Sequence, residues 1–192
     1  MSSLRKHIRS SKIEGLDHKE IIEKLYELKK EAPKGEIKSN AGGYHTGSLE
    51  GIDVMQPLIK KVGSHLEAAV SLDFTKSDCK LQMWGMINKK GTYNHEHSHE
   101  KAGRAKLPSF LIRGEPRKKF IISGVYYLQI PDNSGRIVFV DNRKQEIPCT
   151  PEERLLLFFP ANFRHYVEEN ESDVDRISIS FNIIGVDRKY IP

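Results

Sequence analysis

Two segments in the first half of the chain repeat apolar residues at the spacing of an α-helix. The first extends from Asp17 to about Ala32, and its apolar positions are Ile21, Ile22, Leu25 and Leu28. Asp17 followed by Glu20 forms a capping pair for its start. The second extends from about Leu49 to Val70, with apolar residues at Val54, Leu58, Ile59, Val62, Leu66 and Ala69. The pattern predicts two amphipathic helices that precede every clear strand.

Beyond residue 78 the apolar residues occur in short runs and alternations that are typical of β-strands. The predicted strands are Lys80–Asn88, Phe120–Ile130, Arg136–Val140, Arg154–Phe159, Phe163–Val167 and Arg176–Ile184. Pro131–Gly135 is rich in Asp, Asn and Gly, as are turns that join antiparallel strands. Helices followed by many short strands predict an α+β or mostly β domain, with the helices packed on one face of a folded sheet.

The length of the chain favours one domain, because 192 residues can bury one core but divide poorly into two. We expect a mainly helical part over 1–75, a β core over 78–186 and an inserted basic loop over 100–119. No apolar run reaches the roughly 20 residues of a membrane-spanning helix, and the first residues lack a secretory apolar segment. Cys79 and Cys149 lie in unrelated contexts, which does not indicate a disulfide framework. These features predict a cytoplasmic protein without membrane attachment.

Three histidines occupy alternate positions of one short segment, at His95, His97 and His99. Alternate residues of a strand point to the same face, so all three side chains could enter one cavity. Imidazole is a common ligand of iron, zinc and copper, and ligands two residues apart on a strand can occupy adjacent coordination positions. The segment is therefore a candidate metal site, and a His-rich surface loop is the alternative interpretation.

A second candidate element lies near the end of the chain and contains His165 and Arg176. If the polar turn between them is centred between Asn170 and Glu171, the flanking strands form an antiparallel hairpin with His165 directly opposite Arg176. Ser178 alternates onto the same face as Arg176. Such a polar face is either solvated or lines a polar cavity.

The two elements together fit the requirements of an Fe(II) oxygenase. Such an enzyme holds its metal with three protein ligands and leaves positions open for a 2-oxo acid and dioxygen. His97 and His99 would supply two ligands and His165 the third. The distal carboxylate of the 2-oxo acid needs a fixed cation, and the guanidinium of Arg176 could bind it through paired hydrogen bonds.

Several motifs together resemble a family of 2-oxoglutarate/Fe(II) oxygenases found in bacteria and tailed phages. They are Trp84, Asn94–His99, Ser123–Leu128, Phe159-Pro160 with His165, and Arg176–Asn182, and Asn40–His45 is similar to the upstream loop of that family. The resemblance covers about residues 38 to 184. It implies a double-stranded β-helix (jelly-roll) fold in which His97, His99 and His165 bind Fe(II).

The same resemblance implies that 2-oxoglutarate is the co-substrate and that Arg176 anchors it. Ser178, Tyr127 and Asn94 are further candidates for contacts with the co-substrate. By similarity to the wider superfamily, 2-oxoglutarate is decarboxylated to succinate and CO2 while a C–H bond of a prime substrate is hydroxylated. The resemblance does not identify that prime substrate.

Two features depart from the usual pattern of the superfamily. The second ligand position, usually Asp or Glu, is His99, which leaves the identity of the metal open. Glu96 or Glu100 could reach the metal only through irregular backbone. The other departure is the long basic stretch over 100–119, which as a lid would favour an acidic or nucleic-acid-like substrate.

Two other interpretations remain open from the residues. Gly91 before His97, and Pro160 and Asn162 before His165, resemble the motifs of a cupin, a metal enzyme without a 2-oxo acid. A cupin would need a glutamate after His99 at a distance where this chain has Gly103 and Arg104. A structural or virion-associated β-sandwich without enzymatic activity is the second alternative.

Other aspects of the chain are less informative. Trp84 lies on a predicted strand and is interpreted as core or cavity wall, whereas His45 is interpreted as an ordinary solvent-facing or locally bonded residue. The oligomeric state is left open, with a homodimer as one option.

Overall fold

The computed structural model describes residues 3–72, 79–100 and 120–186. Its helices are α1, His18–Glu31, and α2, Gln56–Val70, with short 3-10 turns at Ser3–His7 and Asp53–Met55. Its strands are β1 Arg9–Lys12, β2 Asn40–Ala41, β3 Tyr44–His45, β4 Lys80–Asn88, β5 Tyr93–His97, β6 Phe120–Gln129, β7 Ile137–Val140, β8 Glu146–Cys149, β9 Leu155–Pro160, β10 Arg164–Val167 and β11 Arg176–Val186. Residues 101–119 of the predicted basic loop lie outside the described residues. None of the described helices has the length and apolar character needed to cross a membrane.

The two helices form where the apolar pattern predicts them, with one correction. The carboxylate of Asp17 accepts hydrogen bonds from the N–H groups of Lys19 and Glu20, at 2.9 and 3.4 Å, which caps α1 as expected. Helix α2 begins at Gln56 and not near Leu49. The Leu49 N–H donates instead to the Met83 carbonyl, at 2.9 Å, and so ties this segment to β4.

Two antiparallel sheets face each other. The first has six strands in the order β1-β9-β6-β11-β4-β3, and the second has five in the order β2-β5-β10-β7-β8. Along the chain β4, β6, β9 and β11 belong to the first sheet, while β5, β7, β8 and β10 belong to the second. The chain therefore passes repeatedly between the sheets, which is the path of a double-stranded β-helix and confirms the predicted fold.

The expected hairpin between His165 and Arg176 is wrong. His165 on β10 pairs with His97 in the five-stranded sheet, whereas Arg176 on β11 pairs with Asn88 in the six-stranded sheet. The Pro131–Gly135 turn likewise joins strands of different sheets and not a hairpin. A polar turn indicates where a strand ends, but the sheet that the next strand joins depends on distant partners.

Several short strands escape the prediction, and some of them lie before or between the helices. Strand β1 has the polar sequence Arg-Ser-Ser-Lys, yet it pairs with β9 at the edge of the six-stranded sheet. Strand β8 pairs with β7 at the edge of the other sheet. Edge strands of two to four residues bury little apolar area, so they carry no clear alternation.

The helices cover the outer face of the six-stranded sheet. Leu25 of α1 and Leu66 of α2 are fully buried in one cluster with Ile177, Ile179 and Phe181 of β11. Because side chains alternate along a strand, Arg176, Ser178 and Ser180 point to the other face, between the two sheets. The polar face of β11 thus lines the interior of the sandwich and not the solvent.

Candidate functional site

The structure brings together the three histidines that the sequence singles out. His97 at the end of β5 and His165 on β10 are direct partners, and their ring centroids lie 4.4 Å apart. His99 follows β5, and its backbone N–H donates to the Ala161 carbonyl at 2.7 Å. The ring centroid of His99 lies 5.0 Å from that of His97 and 5.3 Å from that of His165. One ligand nitrogen from each ring lies within 4.8 Å of the others, so a single ion could bind all three.

Backbone carbonyls orient two of these rings. His97 Nδ1 lies 2.7 Å from the His95 carbonyl, and His165 Nδ1 lies 2.9 Å from the Phe163 carbonyl. Since a carbonyl only accepts, each Nδ1 carries the proton and each Nε2 keeps a lone pair. Carbonyl acceptors behind metal-binding histidines fix the ring and the tautomer in this way.

Burial keeps the triad uncharged. It lowers the pKa of His97, and it lowers the pKa of His99 to about 3 with a further contribution from the neighbouring His97 and His45. The pKa of His165 falls well below its ordinary value, first because of burial and then because of the other two histidines. At neutral pH all three imidazoles are therefore uncharged, and each can offer one nitrogen lone pair to a cation.

His95 is not part of the triad. It is exposed and contacts the Tyr93 ring edge to face. Asn94 pairs with Val167 while His97 pairs with His165, so β5 uses one residue more than β10 between the two pairs. This bulge breaks the alternation that predicts a common face for all three histidines of the segment.

No carboxylate joins the triad among the residues that the structure describes. Glu96 forms an ion pair with Arg164, and Glu100 is exposed. The neutral imidazole of His99 therefore occupies the second candidate ligand position, where the sequence comparison leads us to expect an acidic residue.

Arg176 is a buried cation without an acidic partner in the described part of the chain. Its side chain is 3% exposed, and Nη1 donates to the carbonyls of Ser134 and Glu168 at 2.5 and 3.3 Å. The Glu168 carboxylate is occupied by Arg136, with distances of 2.6 and 2.8 Å. Burial lowers the pKa of Arg176 to about 10, so the guanidinium still carries its charge at neutral pH. A buried charge is costly unless it is paired, which indicates a site for an anion.

One cavity of about 960 Å³ contains the triad and Arg176. Ser178 and Tyr127 line it beside Arg176, are buried, and are partners across β11 and β6. Burial raises the pKa of the Tyr127 hydroxyl, so it stays protonated. Asn94 lines the cavity from β5, and its amide donates to the Ser39 hydroxyl at 3.2 Å. All seven predicted site residues therefore surround the same space.

His45 is a cavity residue that the sequence interpretation misses. It is 8% exposed and therefore not solvent-facing, and its ring stacks on Trp84 with a centroid distance of 5.6 Å. The expected local bond is present, from Nδ1 to the Thr46 carbonyl at 2.6 Å. Ser39, whose hydroxyl lies 3.3 Å from His97 Nε2, is also missed. The available signal is that the resemblance includes Asn40–His45, which indicates that this segment has more than a connecting role.

One segment of the chain matches a known protein family. Residues 142–182, which include His165 and Arg176, match a family model described as "Putative 2OG-Fe(II) oxygenase". No curated protein matches the chain.

Solved structures share the fold at low sequence identity. A prolyl-4-hydroxylase from Pseudomonas putida is 13% identical, covers 95% of each chain and gives a TM-score of 0.58. A viral collagen prolyl hydroxylase from Paramecium Bursaria Chlorella virus-1, in a 2OG complex, is 16% identical. The match covers 96% of this chain and 100% of the viral chain, with a TM-score of 0.59. An oxidoreductase of the 2OG-Fe(II) oxygenase family from Burkholderia pseudomallei is 12% identical, covers 96% and 90%, and gives 0.60. The predicted resemblance is confirmed: this chain has the fold of the 2OG-Fe(II) oxygenases and, over residues 142–182, their sequence signature.

Proposed function

We propose that this protein is an Fe(II)- and 2-oxoglutarate-dependent oxygenase that hydroxylates a prime substrate. The observation that carries the proposal is the presence, in one cavity, of three convergent neutral imidazoles and a buried arginine without an acidic partner among the described residues. The first feature suits a metal, and the second suits the distal carboxylate of a 2-oxo acid.

The donor set fits a catalytic iron ion. Imidazole nitrogen is a good ligand for Fe(II), and three ligands leave coordination positions for other molecules, whereas structural zinc sites usually have four. His97 and His165 present Nε2 because their Nδ1 atoms donate to carbonyls. In these enzymes a bound iron ion would allow dioxygen, the oxidant, to take two electrons from 2-oxoglutarate, which becomes succinate and CO2, and two from a C–H bond of the prime substrate. One oxygen atom would enter succinate and the other would enter the hydroxylated product.

The protein itself would bind and orient the co-substrate. Arg176 would donate two hydrogen bonds to the distal carboxylate, and its burial would strengthen this contact by excluding water. Hydrogen bonds to the Ser134 and Glu168 carbonyls hold the guanidinium in place, so it would lose little conformational entropy when it binds an anion. The hydroxyls of Ser178 and Tyr127 would donate to the same carboxylate.

The position of Arg176 favours this function over that of a cupin without a 2-oxo acid. A buried guanidinium at the cavity would have no partner in such an enzyme, whereas a dicarboxylate provides one. Two of the structurally similar proteins are named as prolyl hydroxylases, which supports hydroxylation as the reaction class. Their identity to this chain, 13% and 16%, does not transfer their substrates.

The test is anaerobic addition of Fe(II) and then 2-oxoglutarate to the metal-free protein. We expect a weak visible charge-transfer band on adding 2-oxoglutarate, and succinate after oxygen is admitted. Iron binding without any response to 2-oxoglutarate would favour the cupin alternative. Failure to bind iron, zinc or cobalt would favour a structural module.

A further inference from the structure

A second recognition element lies beside the histidine triad. Strand β3 pairs with β4 so that His45 is opposite Met86, which makes His45 and Trp84 diagonal neighbours. Their rings are almost parallel, at 4°, with centroids 5.6 Å apart. The Trp84 ring also lies 5.7 Å from that of His99. Both side chains line the cavity, so this aromatic pair forms its wall next to the triad.

The aromatic pair and Arg176 lie at different ends of the cavity floor. On β11, Arg176 is the partner of Asn88 and Ser180 is the partner of Trp84. These positions are four residues apart, or about 13 Å at roughly 3.3 Å per residue. A co-substrate anchored at Arg176 would therefore leave the Trp84 end of the cavity to a second ligand.

The chain is built to hold His45 rigidly at this wall. Gly42, with a φ of +75°, and Gly43 let the chain cross from β2 in one sheet to β3 in the other. A Cβ atom at Gly43 would lie only 2.8 Å from the Asn88 side-chain amide. Thr46, next to His45, donates its N–H to the Gly85 carbonyl at 3.0 Å and accepts from the Gly85 N–H at 2.9 Å.

The free nitrogen of His45 is a hydrogen-bond acceptor. His45 Nδ1 lies 2.6 Å from the Thr46 carbonyl and must donate to it, so Nε2 keeps its lone pair. His45 is buried, at 8% exposed, and no described residue forms a hydrogen bond with its Nε2. His45 lines the cavity, so a ligand bound there can reach its ring. Burial lowers the pKa of His45, which keeps the ring neutral.

We propose that His45 and Trp84 bind the prime substrate, and that its reacting part is a planar, uncharged heterocycle that donates an N–H to His45 Nε2. The ring would pack against Trp84, because flat π systems stack favourably on indole. Charged side chains of both signs line the cavity, namely Glu36, Glu50, Lys38 and Lys80, and they do not favour a substrate of one net charge. This inference rests on the proposed function for the chemistry at the triad, but the binding it predicts is measured separately.

Trp84 is the only tryptophan of the protein, so its fluorescence reports on this site alone. The probes are uracil and 1,3-dimethyluracil, which are both planar and uncharged but differ in their N–H donors. We expect uracil to change Trp84 fluorescence and to bind about fivefold to tenfold more tightly than 1,3-dimethyluracil, the effect of one hydrogen bond. The titrations use metal-free protein and, anaerobically, protein with Fe(II) and 2-oxoglutarate.

The decisive variant is His45→Phe, which keeps a ring against Trp84 and removes the acceptor. We expect it to lose the preference for uracil and to bind both probes equally. His65→Phe, on helix α2 and bonded to Ser11, is the control and should behave as wild type. Unchanged Co(II) affinity and circular dichroism in His45→Phe would establish that the variant is folded.

A further titration shows whether the heterocycle belongs to a polymer or to a free molecule. A uracil-containing single-stranded oligonucleotide that binds at least tenfold more tightly than uracil would assign the heterocycle to a polymer, and equal binding would assign it to a free molecule. No binding of uracil up to its solubility limit, equal binding of the two probes by wild type, or an unchanged preference in His45→Phe would overturn the proposal. The charge-transfer band with 2-oxoglutarate tests the proposed function independently of these results.

Discussion

His97 and His165 are directly paired across β5 and β10, with ring centroids 4.4 Å apart. Both belong to the five-stranded sheet, whereas Arg176 belongs to the six-stranded sheet. The candidate metal ligands and the candidate anion site are therefore carried by opposite walls of the same cavity. This separation allows variants on one wall to test the metal and variants on the other to test the co-substrate.

Replacing His165 by Ala should abolish specific metal binding. The change removes one of three ligands, and since loss of a supporting contact alone costs about 10–100-fold, we expect at least a hundredfold weaker affinity. The measurement is a Co(II) titration followed by visible absorption. His95→Ala is the matched control, because His95 lies in the same segment but outside the triad, and its affinity should stay within about twofold. An equal loss in both variants would argue against the triad.

Replacing Arg176 by Ala should weaken 2-oxoglutarate binding and leave metal affinity nearly unchanged. A hydrogen bond to a charged group contributes about 1.5–3 kcal/mol, so we expect a loss of roughly 10–100-fold, with a smaller loss for Arg176→Lys. The charge-transfer band gives the affinity. Arg164→Ala, which removes an exposed arginine beside His165, is the control. If Arg176→Ala binds 2-oxoglutarate as wild type does, the anion site lies elsewhere.

Fe(II) and 2-oxoglutarate should bind cooperatively. Three neutral imidazoles leave the charge of the metal uncompensated, and the 2-oxoglutarate dianion would balance it. We expect each ligand to raise the affinity of the other by at least about tenfold, and by the same factor in both directions. Calorimetric titrations in either order measure this factor. His99→Asp supplies a carboxylate and should reduce the cooperativity factor. The same factor in wild type and His99→Asp would exclude charge compensation as its cause.

Gly124→Ala should destabilise the fold. A Cβ atom there would lie 2.3 Å from the Phe181 ring and 2.6 Å from the Leu157 carbonyl, and the latter belongs to a paired strand that cannot move freely. We expect the free energy of unfolding to fall by about 1–3 kcal/mol. Urea denaturation measures it. Gly51→Ala adds the same atom where nothing lies within 4 Å and should change the value by less than about 0.5 kcal/mol.

The ion pair between Glu168 and Arg136 should make stability depend on acid pH. Hydrogen bonds from Arg136 lower the pKa of the Glu168 carboxyl below its ordinary value of 4.5. The pair therefore stabilises the fold above the ordinary carboxyl pKa and loses this effect as the pH falls through the lowered value. Urea denaturation at pH 6, 4.5 and 3 measures the free energy of unfolding. At pH 6 we expect a higher value for wild type than for Glu168→Gln, and this difference should shrink toward pH 3. Glu67→Gln, on the exposed face of α2, should show no such trend.

Much of this molecule follows from the sequence because the relevant signals are local. Apolar spacing predicts α1 and the long strands β4, β6 and β11, since burial on one face imposes the period of the element. The spacing of His97 and His99 indicates a metal site, because two ligands on adjacent alternate positions can meet one ion. Strand β1 is not predicted, because an edge strand of four polar residues has no apolar alternation.

The tertiary structure decided how these elements meet. Alternation along β11 separates Arg176 from Ile177, but only pairing with distant β4 and β6 determines that the polar face lines a cavity. The bulge in β5 separates His95 from His97 through contacts with β10, which lies far away in the chain. His45 likewise reaches the cavity wall through the pairing of β3 with β4, where its ring stacks on Trp84. Sequence periodicity specifies which face of an element is buried, whereas hydrogen bonding between distant strands selects what that face meets.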